Sequence, residues 1–163
     1  MKFSLVLLLV LVIGRVMWDR AGGVGAGDTD DVNEAMAIAV VEGDADGVLR
    51  RLAAGAPLVD DAGTPVVVWA AWQGQTGVLE ALIEHGVDVN VRTPAGWSAL
   101  MMAVMAERAD AVEALLNAGA DLDVRTDVGA TALSMAIDRG NEGIVEMLLR
   151  AGAGRGEVVA AGR

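Results

Sequence analysis

The stretch Gly96-Trp-Ser-Ala-Leu-Met-Met-Ala-Val-Met-Ala-Glu107 decides the fold, because its pattern recurs 33 residues earlier and 33 residues later. The earlier copy runs from Gly63 to Gly74, and the later copy runs from Gly129 to Gly140. A second glycine recurs at the same interval, at Gly86, Gly119 and Gly152. A period near 33 that holds a turn and a helix stop predicts a solenoid, in which no unit buries its apolar face alone.

The second half of each unit carries four apolar residues at positions i, i+1, i+4 and i+5, a spacing that places them on one face of a helix. The glycine after each group can adopt the left-handed conformation that ends a helix. Each unit is therefore predicted to contain a short helix, a tight loop, a second antiparallel helix and a β-hairpin-like connection. The apolar groups are Val78, Leu79, Leu82 and Ile83; Ala111, Val112, Leu115 and Leu116; and Ile144, Val145, Leu148 and Leu149.

At these residues the chain resembles the ankyrin repeat family, from about residue 31 to residue 154. The resemblance implies an all-α fold, an ankyrin repeat solenoid of helix-loop-helix units joined by β-hairpin-like loops. A first copy, from Asn33 to Ala56, is offset by 31 residues because its connection to Gly63 is two residues shorter. The resulting repeats span about residues 31–60, 61–93, 94–126 and 127–154.

The threonine-proline signature of the family is altered in this chain. Ser98 and Thr131 stand at the threonine position, and both side chains can cap a helix. Thr64 and Pro65 occur one place early, and we interpret them as an N-cap followed by proline at the first helical position.

The two ends of the repeat array are predicted to differ. Arg51 takes the place of Leu82, Leu115 and Leu148, which marks the first copy as an N-terminal cap with a wettable outer face. The last repeat shows no such substitution, and only the tail, residues 155–163, could cover its outer face. The apolar outer face of this last repeat is a weak indication of self-association.

The N-terminal residues 1–20 resemble an export signal. Lys2 precedes an apolar run from Leu5 to Ile13, which is the charge and length expected of a secretory signal. A membrane helix needs about 20 apolar residues, so the run is short for a span, but an uncleaved anchor that extends past Arg15 stays open. Residues 21–30 are interpreted as a flexible glycine-rich linker.

Composition excludes several classes of function. Residues 28–163 hold 22 acidic residues and nine arginines, a formal charge of −13 that repels nucleic acid and anionic membrane surfaces. The chain has no cysteine and one histidine, His85, which lies before a helix-ending glycine and is interpreted as structural. No nucleophile, phosphate-loop or calcium-loop pattern occurs, so we predict a non-catalytic protein without cofactor or metal.

The resemblance implies that partners are bound at the hairpin tips and along the first helices, on the concave face. Trp97 has a second interpretation, as a packing residue of its hairpin. Trp69 is predicted to face inward, as are Ile38, Met102 and Met135. The positions carried over as the candidate partner-binding site are Trp72, Gln73, Trp97, Met105, Asp138 and Arg139.

These features predict a protein-protein interaction module that binds a protein of unknown identity, with no nucleic acid and with possible weak self-association. One lysine against eleven arginines, with abundant Ala, Gly and Val, is typical of GC-rich coding and suggests a bacterial source. Localisation is then periplasmic or secreted after signal cleavage. The alternative is a structural scaffold, anchored to the inner membrane facing outward, that self-associates through its C-terminal repeat.

Overall fold

The computed structural model describes residues 29–60 and 63–154, with side chains from Ala35 onward. The predicted export segment and the C-terminal tail lie outside these residues, as does most of the predicted linker, whose last two residues belong to the first helix. The helices in the described ranges are α1 (Thr29–Glu42), α2 (Ala45–Ala53), α3 (Val66–Gln73), α4 (Thr76–Glu84), α5 (Ala99–Met105), α6 (Ala109–Asn117), α7 (Ala132–Asp138) and α8 (Glu142–Ala151).

The helices form four consecutive pairs, and the all-α repeat architecture expected from the sequence is confirmed. First helices pack on first helices, in the order α3, α5, α7, and second helices pack on second helices, in the order α2, α4, α6, α8. Within a pair, α3 packs on α4, α5 on α6 and α7 on α8. The fold is therefore two layers of short helices, in which each pair is held by its neighbours.

Small and aliphatic side chains make the core between the layers. Three of the four positions of the predicted stripe are fully buried in α4 and α6, whereas the fourth positions, Ile83 and Leu116, are half-buried. Leu149 holds the fourth position in α8 and is 51% exposed, because no further pair covers it among the described residues. In α2, Arg51 is half-buried, and its Nη1 donates to the carbonyl oxygen of Gly47 at 2.9 Å.

Two of the three predicted helix caps are correct. The Ser98 hydroxyl accepts from the backbone N–H of Met101 at 3.3 Å, and the Thr131 hydroxyl accepts from that of Ser134 at 3.2 Å. The prediction for Thr64 and Pro65 is wrong, since Pro65 is itself the N-cap and α3 begins at Val66. The reason is conformational: Pro65 has φ −65° and ψ 141°, an extended backbone that lies outside the helix.

The connections between pairs are short hairpins closed by a recurring side-chain bond. The residue three places before each turn glycine accepts a hydrogen bond from the backbone N–H four residues along the chain. The acceptors are Asp60 Oδ1 for Thr64 at 2.7 Å, Thr93 Oγ1 for Trp97 at 3.1 Å and Thr126 Oγ1 for Ala130 at 3.2 Å. The sequence analysis did not identify this bond, although its residues recur every 33 positions.

Polar side chains also connect neighbouring pairs. The Gln75 Nε2 donates to the carbonyl oxygen of Val41 at 2.7 Å, and the Asn90 Oδ1 accepts from the backbone N–H of Asp121 at 2.8 Å. Gly43 has φ 72°, and a Cβ there would lie 2.6 Å from the Gln75 Oε1, so glycine leaves room for the bond from Gln75. These bonds fix the spacing of adjacent pairs at their loops.

Candidate protein-binding surface

A shallow apolar recess opens between the first two helix pairs, beside the hairpin that joins them. Its cavity volume is about 50 Å³, which is room for part of one side chain rather than for a cofactor. Helix α1, the hairpin and α3 each contribute to the wall. The lining residues are Met36, Ala37, Val40, Pro57, Leu58, Val59, Asp60, Thr64, Val66 and Trp69.

Two apolar hairpin residues at this recess are exposed, Leu58 at 46% and Val59 at 45%. Counting back from the turn glycines, Val59 corresponds to Arg92 and Arg125, whose long charged side chains suit an exposed hairpin. A large apolar side chain at that exposed position contributes little to the stability of the fold. The sequence analysis missed both residues, and the signal that could have found them is this exchange of arginine for valine.

Trp69 and Trp72 lie one helical turn apart on α3, so their side chains share a face. Trp72 is 43% exposed, as the prediction of a partner-binding role requires. Trp69 faces inward as predicted, but it is half-buried rather than enclosed. It packs on the core along one side and lines the recess along the other. The prediction that Ile38 faces inward is wrong, since Ile38 is exposed on α1, next in sequence to the recess residue Ala37.

We define the recess face as Ile38, Leu58, Val59, Trp69 and Trp72. Leu58, Val59 and Trp69 line the recess, Trp72 lies one turn from Trp69 on α3, and Ile38 follows the lining residue Ala37 on α1. Tryptophan is enriched among interaction hot spots, and an exposed apolar patch often marks a protein-binding site. The recess face is therefore the part of the described surface best suited to hold an apolar side chain of another protein.

Three further predicted residues lie next to this face or one pair further along. Gln73 is half-buried at the end of α3, beside Trp72. Met105 is half-buried against the core at the equivalent place on α5. Trp97 is also half-buried against the core, which is the packing arrangement, and its backbone N–H donates to the Thr93 hydroxyl. Part of each side chain stays accessible.

The last two predicted residues, Asp138 and Arg139, are exposed at the end of α7. The Arg139 Nη1 lies 3.5 Å from the Glu107 Oε1, so this arginine bridges the third and fourth pairs. The structure thus places an apolar surface on the first two pairs and a charged one on the last two. It does not bring Asp138 and Arg139 to the recess.

The described residues offer nothing that points to other chemistry at this surface. Within them, no group of three or more His, Asp or Glu side chains is placed to hold a metal ion. In the same ranges, no helix combines the length and the apolar character that crossing a bilayer requires.

Comparison with known proteins places the pairs in a family. A family model described as ankyrin repeats, in three copies, matches residues 67–155, which is more than half of the chain. The match begins within α3 and extends just past α8. A search of curated proteins gave no match.

Proposed function

The chain belongs to the ankyrin repeat family, and on that premise we propose that it binds a partner protein through the recess face. Ankyrin repeats are generally protein-protein interaction modules and generally non-catalytic. The observation that carries the proposal is a group of exposed apolar residues: Leu58 and Val59 line the recess, and Trp72 lies one turn from the lining residue Trp69. The partner inserts an apolar side chain there, and Gln73, Trp97 and Met105 extend the contact.

The negative charge of the domain indicates the charge that its partner should carry. Asp60 lines the recess, and residues 28–46 hold seven acidic residues and no basic one. Opposite charge across an interface speeds association and rejects partners of the wrong sign. We therefore propose a partner segment in which lysine or arginine flanks the inserted apolar side chain.

Capture from the native host tests this function. The tagged full-length protein is compared with Trp72→Ala and with Val59→Asp, which should both lose the captured protein because they remove apolar contact or place a charge in it. Glu80→Ala and Glu113→Ala change exposed residues of the second helices, on the other side of the array, and should capture as the unchanged protein does. Capture that survives Trp72→Ala and Val59→Asp but fails in the controls would place the interface on the second-helix side.

We also propose that the domain works outside the cytoplasm of a bacterial cell. The support is the sequence of residues 1–20, in which Lys2 precedes the apolar run from Leu5 to Ile13. Replacing Leu8 and Leu9 by Asp should retain the protein in the cytoplasm. The intact mass of the exported protein separates a cleaved signal from a retained anchor, and a cytoplasmic location of the unchanged protein would refute export.

A further inference from the structure

The last helix pair exposes two apolar residues whose counterparts are buried or half-buried in every earlier pair. Val40, Ala71 and Val104 hold the same place in successive first helices, and none is more than 1% exposed. Ile137 holds that place in α7 and is 57% exposed. In the second helices, Leu149 is exposed where Leu52, Ile83 and Leu116 are half-buried.

The difference has a simple geometric cause. Each earlier pair has a following pair beside it, which covers this side of its helices. The fourth pair has none among the described residues, so Ile137 and Leu149 form an end face with the shape and apolar character of the contact between pairs. We call these two residues, with half-buried Leu133, the C-terminal end face.

The opposite end of the array does not match this surface. A head-to-tail contact would press Arg51 of α2 against the C-terminal end face, because Arg51 holds the buried-leucine position in the first pair. Removing that guanidinium from water is costly without a partner carboxylate, since its bond to the Gly47 carbonyl serves only one of its donors. The end face therefore fits a second end face better than it fits the N-terminal end.

Charges on α8 favour the same pairing. Glu146 and Arg150 lie one turn apart and both are exposed, with 2.6 Å between the Arg150 Nη2 and the Glu146 Oε1. When two such helices run antiparallel, Glu146 of each copy comes opposite Arg150 of the other. These two exposed charges are thus complementary to themselves across a pair of antiparallel α8 helices, as a twofold contact requires.

We propose that two copies of this chain associate through their C-terminal end faces, with twofold symmetry. Such a contact buries Ile137 and Leu149 of both copies and closes on itself, so it gives dimers rather than filaments. It also holds two recess faces in one particle, because the recess lies at the other end of the array. A partner with two binding segments would then be held more tightly than by one copy.

Sedimentation of the full-length protein tests the dimer. The unchanged protein should reach twice the monomer mass as its concentration rises, and Ile137→Asp or Leu149→Asp should halve that mass. At concentrations where the unchanged protein is monomeric, neither substitution should lower the melting temperature. Val128→Asp, in an exposed hairpin, is the matched control and should remain a dimer. A protein that is monomeric at every soluble concentration, or a dimer that survives both end-face substitutions, would overturn the proposal.

Two further measurements, a melting temperature and a cysteine cross-link, test the proposed dimer independently. If Leu149→Asp lowers the melting temperature of a protein that is monomeric already, the end face is covered within its own chain and the proposal fails. Because the chain has no cysteine, a single Leu149→Cys should form a disulfide-linked dimer on mild oxidation, whereas Val128→Cys should not. Cross-linking of Leu149→Cys to Arg51→Cys rather than to itself would show head-to-tail assembly and refute the twofold arrangement.

Discussion

The Arg139 guanidinium lies 3.5 Å from the Glu107 carboxylate, and Glu107 is the only residue other than glycine in the described ranges with a positive φ, at 56°. The three equivalent loop positions in the other pairs are Gly43, Gly74 and Gly140. A left-handed conformation costs an L-residue roughly 1–2 kcal/mol. The fold therefore places a strained residue beside the charged part of the first-helix side, where it holds the third and fourth pairs together.

At position 107, glycine should stabilise the fold more than alanine does. Both Glu107→Gly and Glu107→Ala remove the contact with Arg139, so their difference isolates the backbone. We expect the free energy of unfolding to be about 1 kcal/mol higher for glycine, because only glycine adopts this φ without strain. Denaturant melts of the two variants measure the difference.

Glu113, which is exposed within α6, provides the matched control for that comparison. There the order should reverse, with Glu113→Ala more stable than Glu113→Gly by about 1 kcal/mol, as in any helix interior. If the glycine and alanine variants showed the same order of stability at both positions, the left-handed conformation described for Glu107 would be incorrect.

Replacing a buried leucine by alanine should lower the free energy of unfolding more in a middle pair than in the first pair. Leu115 is fully buried in α6 between two neighbouring pairs, so Leu115→Ala should lower the free energy of unfolding by about 2–5 kcal/mol. Leu52 is half-buried in α2, and Leu52→Ala should cost less. Equal or reversed costs in denaturant melts would contradict the packing described here.

The two tryptophans of α3 should separate stability from binding. Trp69→Ala should lower stability by less than the roughly 3–5 kcal/mol of a fully buried tryptophan, because Trp69 is half-buried. Trp72→Ala should cost less still and yet lose the partner. Thermal melts together with capture measure both effects, and a cost at Trp72 equal to that at Trp69 would make Trp72 a core residue.

The hairpin bond at Thr126 should contribute to stability. Thr126→Val keeps the shape of the side chain but removes the acceptor for the Ala130 N–H, and Thr126 is buried. We expect a loss of roughly 1 kcal/mol. Val128→Thr makes the opposite chemical change at an exposed site two residues away and should be neutral within about 0.5 kcal/mol. A neutral Thr126→Val would show that the bond adds nothing.

Much of the fold could be predicted because its information is local and repeated. The 33-residue period, the glycine stops and the caps at Ser98 and Thr131 all follow from short stretches of sequence. The cap at Pro65 could not be assigned in the same way, because Thr64 is also a plausible cap and only the backbone angles distinguish the two.

The surface was harder to predict because exposure depends on neighbours. Trp69 and Met135 hold the same repeat position, yet Met135 is buried and Trp69 is half-buried. Met102 holds the same position and is also half-buried, so the burial of this position varies with the neighbouring pairs, which no single repeat encodes. The exposure of Trp72 was expected from its repeat position, whereas that of Leu58 and Val59 was not. The contact roles of Trp72, Asp138 and Arg139 stay predictions.

The two-residue shortening between Gly55 and Gly63 has a consequence for how a partner could be seated. An array of identical units would present the same site several times, and a bound segment could slip from one unit to the next. Here Leu58 and Val59 are exposed beside the recess at one hairpin, while Arg92 and Arg125 hold the place of Val59 at the next two. A ligand that inserts its apolar side chain at the recess can therefore bind the array in only one register. The hairpin with Leu58 and Val59 sets that register, and so determines which other parts of the surface the ligand can reach.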